Sequence, residues 1–554
     1  MSLQSTFFNR ALTTLVILIS FNTSASGDNI TKNTRPNILL LVAEDMSSHV
    51  KAFGDDIAIT PNIDALAAKS IMYPNSFTTA GVCAPSRTGL ITGVHQASIG
   101  GQHMRTRDYK ESLYRAVPNE EIKAFPELLR KNGYYTYVSS KLDYQFSEIT
   151  AHSGPFTVWD YEGSKPDWKG REQDQPFFGM YHFNISHESA LFPEKVAKNV
   201  AKGIVKQIIK PKEVSVPAYY PDTKIVREAL AQIYNNVSAM DRQVGAILDR
   251  LKAEGLADNT IIIWTTDHGD GLPRGKREIY DSGIKVPLVV HWPEKYQPEG
   301  ISENTVNQQL ISFVDLAPSI LAMANVDVPS YIQGSALLAD NALAKREYVF
   351  ASKDRLDEQY FYERAVRSSE FKYIRNYLPN KPGGTKLAYR EQLPIMGELW
   401  RTFENGEMNA AQKAWFLPRP KEELYNIKSD PDEVNNLAKD PAHQQQLAKM
   451  RAALTTWQHK VKDYSKLKEI DQANLFWPQG KQPLTPEPTI SINNEGLVVL
   501  ANSNNGASLG YQINRGKWRV YNQPFAVKSG DTVTAKAIRY GWQESQEINK
   551  KLSK

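Results

Sequence analysis

The sequence predicts an α/β protein with a mixed, mostly parallel sheet sandwiched by helices, followed by a smaller α+β subdomain and a small all-β sandwich domain. Residues 37–43, 260–266 and 286–291 are near-continuous apolar runs, which are typical of strands buried on both faces of a sheet. Helical patterns lie between these runs, and this alternation indicates a layered fold with parallel strands. Beyond about residue 340 short strand patterns predominate, which indicates a change of architecture.

The helices of the first part are predicted from their ends and from the spacing of their apolar residues. Residues 60–70 form a short helix after the first strand, and residues 125–133 form another that ends at Gly133 before a further strand. A long helix is predicted over about 223–254, where apolar residues recur at helical spacing and Gly255 ends the pattern.

The second half of the chain contains isolated strand patterns at 348–352, 371–377 and 422–427 and a helical pattern at about 441–461. After a polar segment, residues 463–483, short strand patterns separated by turn residues continue to about residue 538. The predicted organisation is therefore a signal peptide (1–27), an α/β domain (28–340), an α+β subdomain (341–462), a linker (463–483) and a β-sandwich domain (484–554).

The first 27 residues are typical of a secretory signal. Arg10 supplies a positive charge, residues 11–21 are apolar but too short to span a bilayer, and the small residues 23–27 offer a cleavage site after Ser26. The alternative is an uncleaved membrane anchor. We therefore expect an exported protein, periplasmic or secreted, with no membrane span in the mature chain.

Composition limits the function further. A net charge of +5 over 554 residues is too small and too dispersed to indicate a nucleic-acid partner. A hydrophobic fraction of 41% is sufficient for a large core. The single cysteine, Cys83, allows no internal disulfide even in an oxidising compartment.

Two predicted strands run directly into metal-type ligands. Glu44 and Asp45 follow the first strand, and Asp267 and His268 follow the strand at 260–266. Ligands in open α/β sheets lie beyond the carboxyl ends of the strands, and such side chains suit a hard divalent cation, either Ca²⁺ or Mg²⁺. The alternative is that each pair only caps the turn that follows its strand.

The lone cysteine lies in the stretch VCAPSRTGLITG, residues 82–93. Pro85 and Ser86 suit the first turn of a helix, so Cys83 is predicted at a helix N-terminus, where backbone N–H groups favour an anion. Arg87 follows one turn later, in reach of an anionic group. The alternative is a buried cysteine that only packs, which leaves Arg87 unexplained.

C-A-P-S-R followed by TGLITG resembles the signature of the type I sulfatases. PNILLLVAEDM, TPNIDALAAKS, TTDHGDGLPRGKREIYDSGIKVPLVVHWP and EELYNIKSDPDEVNNLAKDP resemble further segments of that family, over about residues 36–462. The resemblance implies an alkaline-phosphatase-like fold. It also implies that a formylglycine-generating enzyme oxidises Cys83 to formylglycine (3-oxoalanine), whose hydrate attacks sulfur.

The same resemblance implies the roles of individual residues. The cation ligands are Glu44, Asp45, Asp267, His268 and the formylglycine at position 83. The remaining catalytic residues are Arg87, which stabilises the formylglycine hydrate, Lys141 and Lys276, which hold the sulfate, and His187, which protonates the leaving oxygen. We expect one divalent cation, Ca²⁺, with Mg²⁺ as the alternative.

This sequence departs from the family pattern at three positions. Glu44 stands where Asp is more frequent, and His268 stands where Asn is often found, although both replacements keep a ligand atom. Asp143, in SSKLDY, stands where the family often has His, so the proton-transfer arrangement near Lys141 differs from the usual one.

Four further residues are candidates for contacts with the substrate. His103 and Arg105, and Asp354 and Arg355, lie in segments that could contact substrate around the sulfate, with surface or packing roles as the alternative; His95 is more typical of a structural residue. The C-terminal β domain resembles the small β-sandwich of chitobiases. Its aromatic residues either stack on sugars or pack its core; they include Trp518, Tyr521 and Trp542.

We therefore expect an exported sulfatase that acts on a sulfated polysaccharide or its oligosaccharides, with an algal, ulvan-type substrate preferred. A heparan-type N-sulfamidase or another glycosaminoglycan sulfatase is the alternative within the family. A phosphodiesterase or phosphatase of the same superfamily, or a glycan-binding protein without activity, is a more distant alternative. Phosphodiesterases and phosphatases of this superfamily usually have Thr or Ser at the nucleophile position.

Overall fold

The structure is a computed structural model that describes residues 35–104, 114–139, 141–300, 302–339 and 345–552. The predicted signal peptide and Arg105 lie outside these residues. Within the described ranges, no helix combines the length and the apolar composition that a bilayer crossing requires.

The strands are, in chain order, β1 (Asn37–Ala43), β2 (Ile71–Met72), β3 (Ser76–Phe77), β4 (Tyr135–Val138), β5 (Tyr161–Glu162), β6 (Phe177–Phe183), β7 (Thr260–Thr266), β8 (Lys285–Val286), β9 (Leu288–His291), β10 (Thr305–Val306), β11 (Ile311–Ser312), β12 (Val349–Leu356), β13 (Gln359–Arg367), β14 (Phe371–Asn376), β15 (Glu422–Asn426), β16 (Thr489–Ile492), β17 (Val498–Ala501), β18 (Ala507–Ile513), β19 (Arg519–Val520), β20 (Thr532–Arg539) and β21 (Ile548–Lys551).

The α-helices are α1 (Pro61–Ala67), α2 (Cys83–Thr92), α3 (Phe125–Lys131), α4 (Pro193–Ala201), α5 (Lys224–Ala253), α6 (Asp281–Ile284), α7 (Leu316–Met323), α8 (Pro394–Glu404), α9 (Ala410–Lys413), α10 (Gln444–Lys460) and α11 (Glu469–Phe476). Thr223 caps the long helix α5 by accepting a hydrogen bond from the backbone N–H of Val226.

The main sheet has eight strands in the order β10-β2-β9-β7-β1-β6-β4-β5. Its centre is parallel, because β1 pairs in parallel with both β6 and β7, whereas β9 runs antiparallel to β7. Helices cover both faces: Leu39 and Leu41 belong to the core that includes α1 and α5, and Ile38 and Leu40 belong to the core that includes α2 and α7. This confirms the predicted mixed sheet between helices. It also explains the apolar runs, because alternate residues of each central strand face opposite sides of the sheet and both sides are buried.

A second, antiparallel sheet follows in the order β12-β13-β14-β15. Helix α10 covers it through Met450, Leu454 and Trp457. The sequence analysis predicted strands close to β12, β14 and β15 but did not predict β13. The predicted linker includes α11, whose Gln472 side chain donates a hydrogen bond to the carbonyl of Gly100 at 2.9 Å.

The C-terminal region is all-β, as predicted, with a two-stranded sheet of β16 and β17 and a four-stranded sheet in the order β19-β18-β20-β21. It packs against α3 through a buried carboxylate. Ser508 and Tyr540 donate hydrogen bonds to the side chain of Glu127 at 2.7 and 2.8 Å. The likeness to the chitobiase β-sandwich stays a prediction.

Candidate active site

The site is built where the central strands β1 and β7 end side by side. Ala43 and Thr266 are register partners, so Asp45 and Asp267 leave the sheet together. The backbone N–H of Asp45 donates to Oδ1 of Asp267 at 2.9 Å. Asp45 has a φ of 46°, a left-handed conformation uncommon for residues other than glycine, and its carbonyl accepts from the N–H of Gly271 at 3.1 Å. The loops after both strands therefore fix the direction of the Asp45 carboxylate.

Asp45, Cys83, Asp267 and His268 form a compact, fully buried group. One potential ligand atom from each lies within 4.8 Å of the others. Nε2 of His268 lies 3.0 Å from Oδ1 of Asp45 and 3.3 Å from Sγ of Cys83. Burial raises the pKa of Asp45, but His187, Lys276 and His268 outweigh burial and hold that pKa well below its usual range. Burial likewise raises the pKa of Asp267, but His268, Arg87 and Lys141 outweigh burial and hold that pKa below its usual range. Two ionised carboxylates with the side chain of His268 fit a divalent cation.

Cys83 is the first residue of α2, as the sequence analysis predicted. Ser86, in the first turn of this helix, donates a hydrogen bond to the carbonyl of Asp267 at 2.6 Å, which attaches α2 to the end of β7. Gly81 permits the approach on the other side, because a Cβ atom there would lie 2.0 Å from the carbonyl oxygen of Glu278. The segment before Cys83 therefore packs directly against the segment that contains Lys276.

Glu44 contacts two cations. Its two carboxylate oxygens pair separately with Arg87 and Lys141. Burial raises the pKa of Glu44 to about 7, against the opposing effect of these two cations. Arg87 also contacts Asp267, with 3.1 Å between Nη2 and Oδ2, and Asp143, with 3.5 Å between Nε and Oδ1. Glu44 belongs to a second candidate ligand group, with Asp45, Cys83 and His187.

Lys276 and His187 lie on the other side of Asp45. Nζ of Lys276 lies 2.5 Å from Oδ2 of Asp45 and 3.4 Å from Nε2 of His187. Burial, together with Lys276 and Lys141, holds the pKa of His187 well below its usual value although Asp45 raises it. Its Nδ1 accepts from the backbone N–H of Ser189 at 3.2 Å and lies 2.9 Å from Oγ of the same residue, so Nε2 faces the site.

Two supporting contacts were not predicted from the sequence. Arg277 donates a bidentate pair of hydrogen bonds to Glu188 at 2.9 and 3.0 Å, and the backbone N–H of Glu188 donates to Asp45 at 2.6 Å. The adjacent positions of Glu188 and His187, and of Arg277 and Lys276, are the signal that could have identified this pair. The ion pair holds the two loops that supply His187 and Lys276 in one arrangement.

His49 forms a second support. Its ring nitrogens lie 3.0 Å from Asp55 and 2.8 Å from Asp270. Burial lowers the pKa of His49, but the two carboxylates outweigh burial and raise it to about 10. The resulting imidazolium connects the loop after β1 with the loop after β7.

His182 on β6 is another buried residue that the sequence analysis did not identify. Its backbone N–H donates to Oγ of Ser139 at 2.8 Å, and its Nδ1 lies 3.2 Å from the same oxygen. Its Nε2 has no hydrogen-bond partner among the described residues. Burial, with Arg87 and Lys141 nearby, holds its pKa well below the usual value. The imidazole is therefore neutral and close to the cations of the site.

The remaining histidine candidates are buried among aromatic residues. His103 is buried, with its ring centroid 4.9 Å from that of Tyr114. His95 is buried against Trp457 at 5.0 Å, which agrees with the predicted structural role. Arg105 lies outside the described residues.

Asp354 and Arg355 are also buried. Asp354 pairs with Arg364 at 3.0 Å. Arg355 donates to the side chain of Gln472 at 2.7 Å and to the carbonyl of Leu467 at 2.8 Å. Both side chains therefore contact neighbouring protein groups, and their assignment to substrate binding stays a prediction.

Comparisons with known proteins agree with this geometry. The family model described as "Sulfatase" matches residues 36–163 and 165–326, and the model "N-sulphoglucosamine sulphohydrolase, C-terminal" matches residues 274–381. An ulvan-active sulfatase of Formosa agariphila is 37% identical, with 93% of this chain and 91% of the relative covered. Human N-sulphoglucosamine sulphohydrolase is 28% identical, with 77% and 90% covered.

A solved structure with a similar fold is described as containing its substrate, D-glucosamine-2-N,6-O-disulfate. Its sequence is 18% identical to this chain, and the TM-score is 0.53. The match covers 78% of this chain and 100% of the solved chain. At this identity the likeness concerns the fold, and it agrees with the alkaline-phosphatase-like architecture predicted from the sequence.

Proposed function

Because this chain belongs to the sulfatase family, whose members are sulfuric ester hydrolases, we propose that it removes sulfate from a sulfated polysaccharide or its oligosaccharides through Cys83. One observation carries this proposal. Three buried cations, Arg87, Lys141 and Lys276, surround the group that contains Cys83, Asp45 and Asp267. A sulfate ester is an anion, and a buried site with converging cations is suited to bind it.

Cys83 is proposed as the nucleophile position after its oxidation to formylglycine. The hydrated aldehyde supplies the hydroxyl that attacks sulfur. Arg87 lies one turn further along α2 and contacts both Glu44 and Asp267, so its guanidinium is held beside position 83. In this proposal Arg87 orients the modified residue and offsets its charge.

The residues that would hold a divalent cation are Asp45, Asp267 and His268, with position 83 and Glu44 as further ligands. A cation bound there supplies positive charge that offsets the charge of the sulfate. Carboxylates favour Ca²⁺ or Mg²⁺ over softer metals. Glu44 becomes a ligand only if one of its oxygens exchanges its contact with Arg87 or Lys141 for the cation.

The other side chains bind the sulfate and move a proton. Burial lowers the pKa of Lys141, but Cys83 and Glu44 hold it well above its usual value, so this lysine stays charged. Lys276 is likewise charged beside Asp45. Nε2 of His187 lies 3.4 Å from Nζ of Lys276 and 3.9 Å from Oδ2 of Asp45, and the His187 side chain is 19% exposed. Sulfate bound beside Lys276 and Lys141 offsets their charge and raises the pKa of His187. In this proposal the ring then carries the proton that it gives to the leaving alcohol.

The substrate is proposed to be ulvan-type. The support is the ulvan-active sulfatase that is 37% identical over nearly the whole chain. A heparan-type N-sulfated glycan is the second candidate, supported by the match of residues 274–381 to a sulphohydrolase C-terminal model. Export is part of the same proposal, because an enzyme on a polymer outside the cell needs the secretory signal predicted at residues 1–27.

The test is sulfate release from ulvan, heparin, carrageenan and chondroitin sulfate by protein that is co-produced with a formylglycine-generating enzyme. We expect release from ulvan, and none from any glycan with the Cys83→Ala variant. Release from heparin alone would select the second candidate. Phosphate release from phosphodiesters, without sulfate release from any glycan, would overturn the proposal.

A further inference from the structure

A groove of about 1020 Å³ lies between residues 130–175 of the α/β part and the C-terminal β domain, where β18, β19 and β20 contribute to its wall. The site described above uses none of the residues that line it. The groove nevertheless adjoins the segment that carries Lys141 and Asp143. Trp159 and Glu162 line the groove and also line a small cavity together with Leu142 and Tyr144, the chain neighbours of Asp143.

The β-domain wall of the groove presents an aromatic surface. The ring of Trp518 meets the ring of Phe156 edge to face, with centroids 5.4 Å apart. Nζ of Lys536 lies 4.1 Å from the centroid of Phe156 and 4.9 Å from that of Trp518. These contacts hold the half-buried indole in one orientation. A fixed, flat indole is a surface on which the C–H face of a sugar ring can stack.

Cations flank this indole. Lys517 and Arg519 are exposed and precede and follow Trp518 directly in the sequence. Arg519 is 62% exposed in its side chain, and its ion-pair partner Glu172 is 4.0 Å away and equally exposed, so that pair is weak. The guanidinium of Arg519 is therefore available to a carboxylate or sulfate, which it can bind in a bidentate manner.

We infer that this groove binds a second stretch of the anionic polysaccharide chain, away from the sugar whose sulfate is removed. A sugar ring stacks on Trp518, and the sulfate or carboxylate groups of the chain pair with Arg519 and Lys517. The inference rests on the proposed function, because it takes the polymer to be the substrate. It assigns to the C-terminal β domain the task of holding the polymer while the sulfatase site acts.

Binding is measured in the Cys83→Ala background, so that turnover does not change the probe. Intact ulvan and intact heparin are the probes, each compared with a sulfated disaccharide from the same polymer, by isothermal titration calorimetry on the full chain. Two groove variants are used, Trp518→Ala and the double charge reversal Lys517→Glu with Arg519→Glu. The matched control is Lys528→Glu with Lys551→Glu, two exposed lysines of the same domain.

We expect both groove variants to weaken binding of the polymer about fivefold or more, as loss of one aromatic contact or of exposed ion pairs predicts, with a smaller change for the disaccharide. The control variant should bind the polymer as its parent does. The double charge reversal involves exposed side chains only, so it answers the question even if Trp518→Ala does not fold.

The inference is overturned if the double reversal and the control bind the polymer equally. The proposed function has a separate readout, sulfate release by the chain with Cys83 intact. If the intact chain releases sulfate from a polymer whose binding the groove variants do not weaken, the groove assignment fails alone. If it releases sulfate from none of the glycans, both proposals fail.

Discussion

Glu127 is predicted to hold the C-terminal β domain onto the α/β part of the protein. Its carboxylate is fully buried and accepts hydrogen bonds from Thr157 at 2.5 Å, Ser508 at 2.7 Å and Tyr540 at 2.8 Å. Lys131 lies 3.0 Å away. Replacing Glu127 with Gln removes the charge and turns an amide N–H₂ toward hydroxyl donors. We expect Glu127→Gln to destabilise the protein at pH 7.

The size of the effect follows from the pKa of Glu127. Burial raises this pKa, but Lys131, Lys123 and the hydroxyl donors outweigh burial and lower it from 4.5 to about 2. A difference of about 2.5 pKa units corresponds to about 3 kcal/mol. Because the folded-state pKa is depressed, this stabilisation is present above pH 4.5 and is lost as the pH falls through about 2.

The assay is the free energy of unfolding from urea titrations of the parent and of Glu127→Gln at pH 7 and at pH 3. We expect the free energy of unfolding of the parent to exceed that of Glu127→Gln by about 3 kcal/mol at pH 7. This difference should fall by more than half at pH 3, where most of the stabilisation from the ionised carboxylate is lost. The matched control is Glu194→Gln on the exposed face of α4, which should leave stability unchanged. Equal midpoints for Glu127→Gln and the parent at pH 7, or a gap that is the same at both pH values, would refute the reasoning.

Three further predictions concern the site. Lys276→Ala should lower kcat on the sulfated substrate about 10²- to 10³-fold, as loss of one group that stabilises transition-state charge does, whereas Lys69→Ala should leave it unchanged; equal kcat values would exclude Lys276 from sulfate binding. His187→Asn should lower kcat about 10²-fold or more on an alkyl sulfate and much less on p-nitrophenyl sulfate, whose leaving group needs no proton; an equal loss on both would contradict the general-acid role. Dialysis against EDTA should abolish sulfate release, and Ca²⁺ or Mg²⁺ should restore it; full activity of metal-depleted protein, verified by elemental analysis, would remove the cation from the account.

The central strands and their terminal residues could be predicted from the sequence for a physical reason. A strand buried on both faces must be apolar at every position, so β1 and β7 are visible as uninterrupted runs. Carboxylates placed where those runs end are conspicuous, and parallel pairing brings them together. The positions of Asp45 and Asp267 therefore follow from local pattern and topology.

Other features depend on contacts between distant segments and left little trace in the sequence. The pairing of both oxygens of Glu44 with Arg87 and Lys141 joins residues that are 43 and 97 positions away in the chain. Strand β13 carries the charged pair Glu363 and Arg364, and both side chains are buried by ion pairs with residues far along the chain. The polarity of these residues therefore argues against a buried strand. Burial of their charges is tolerated only because distant residues form ion pairs with them.

The predicted linker shows the same limitation. Residues 463–483 are polar and end in proline-rich sequence, which is typical of a connecting segment. In the structure Gln472 of α11 contacts Gly100, Gln102 and Arg355. Buried polar contacts of this kind are satisfied by particular partners, and composition does not reveal them.

The most direct test of the account is the chemical state of position 83 together with sulfate release from ulvan. Peptide mass spectrometry would measure the loss of the Cys83 thiol in favour of the aldehyde, and ion chromatography would measure sulfate released by the same preparation. The account predicts that sulfate release rises in proportion to the converted fraction and is absent from Cys83→Ala. Release from Cys83→Ala at the rate of the parent would contradict the claim that position 83 carries the nucleophile.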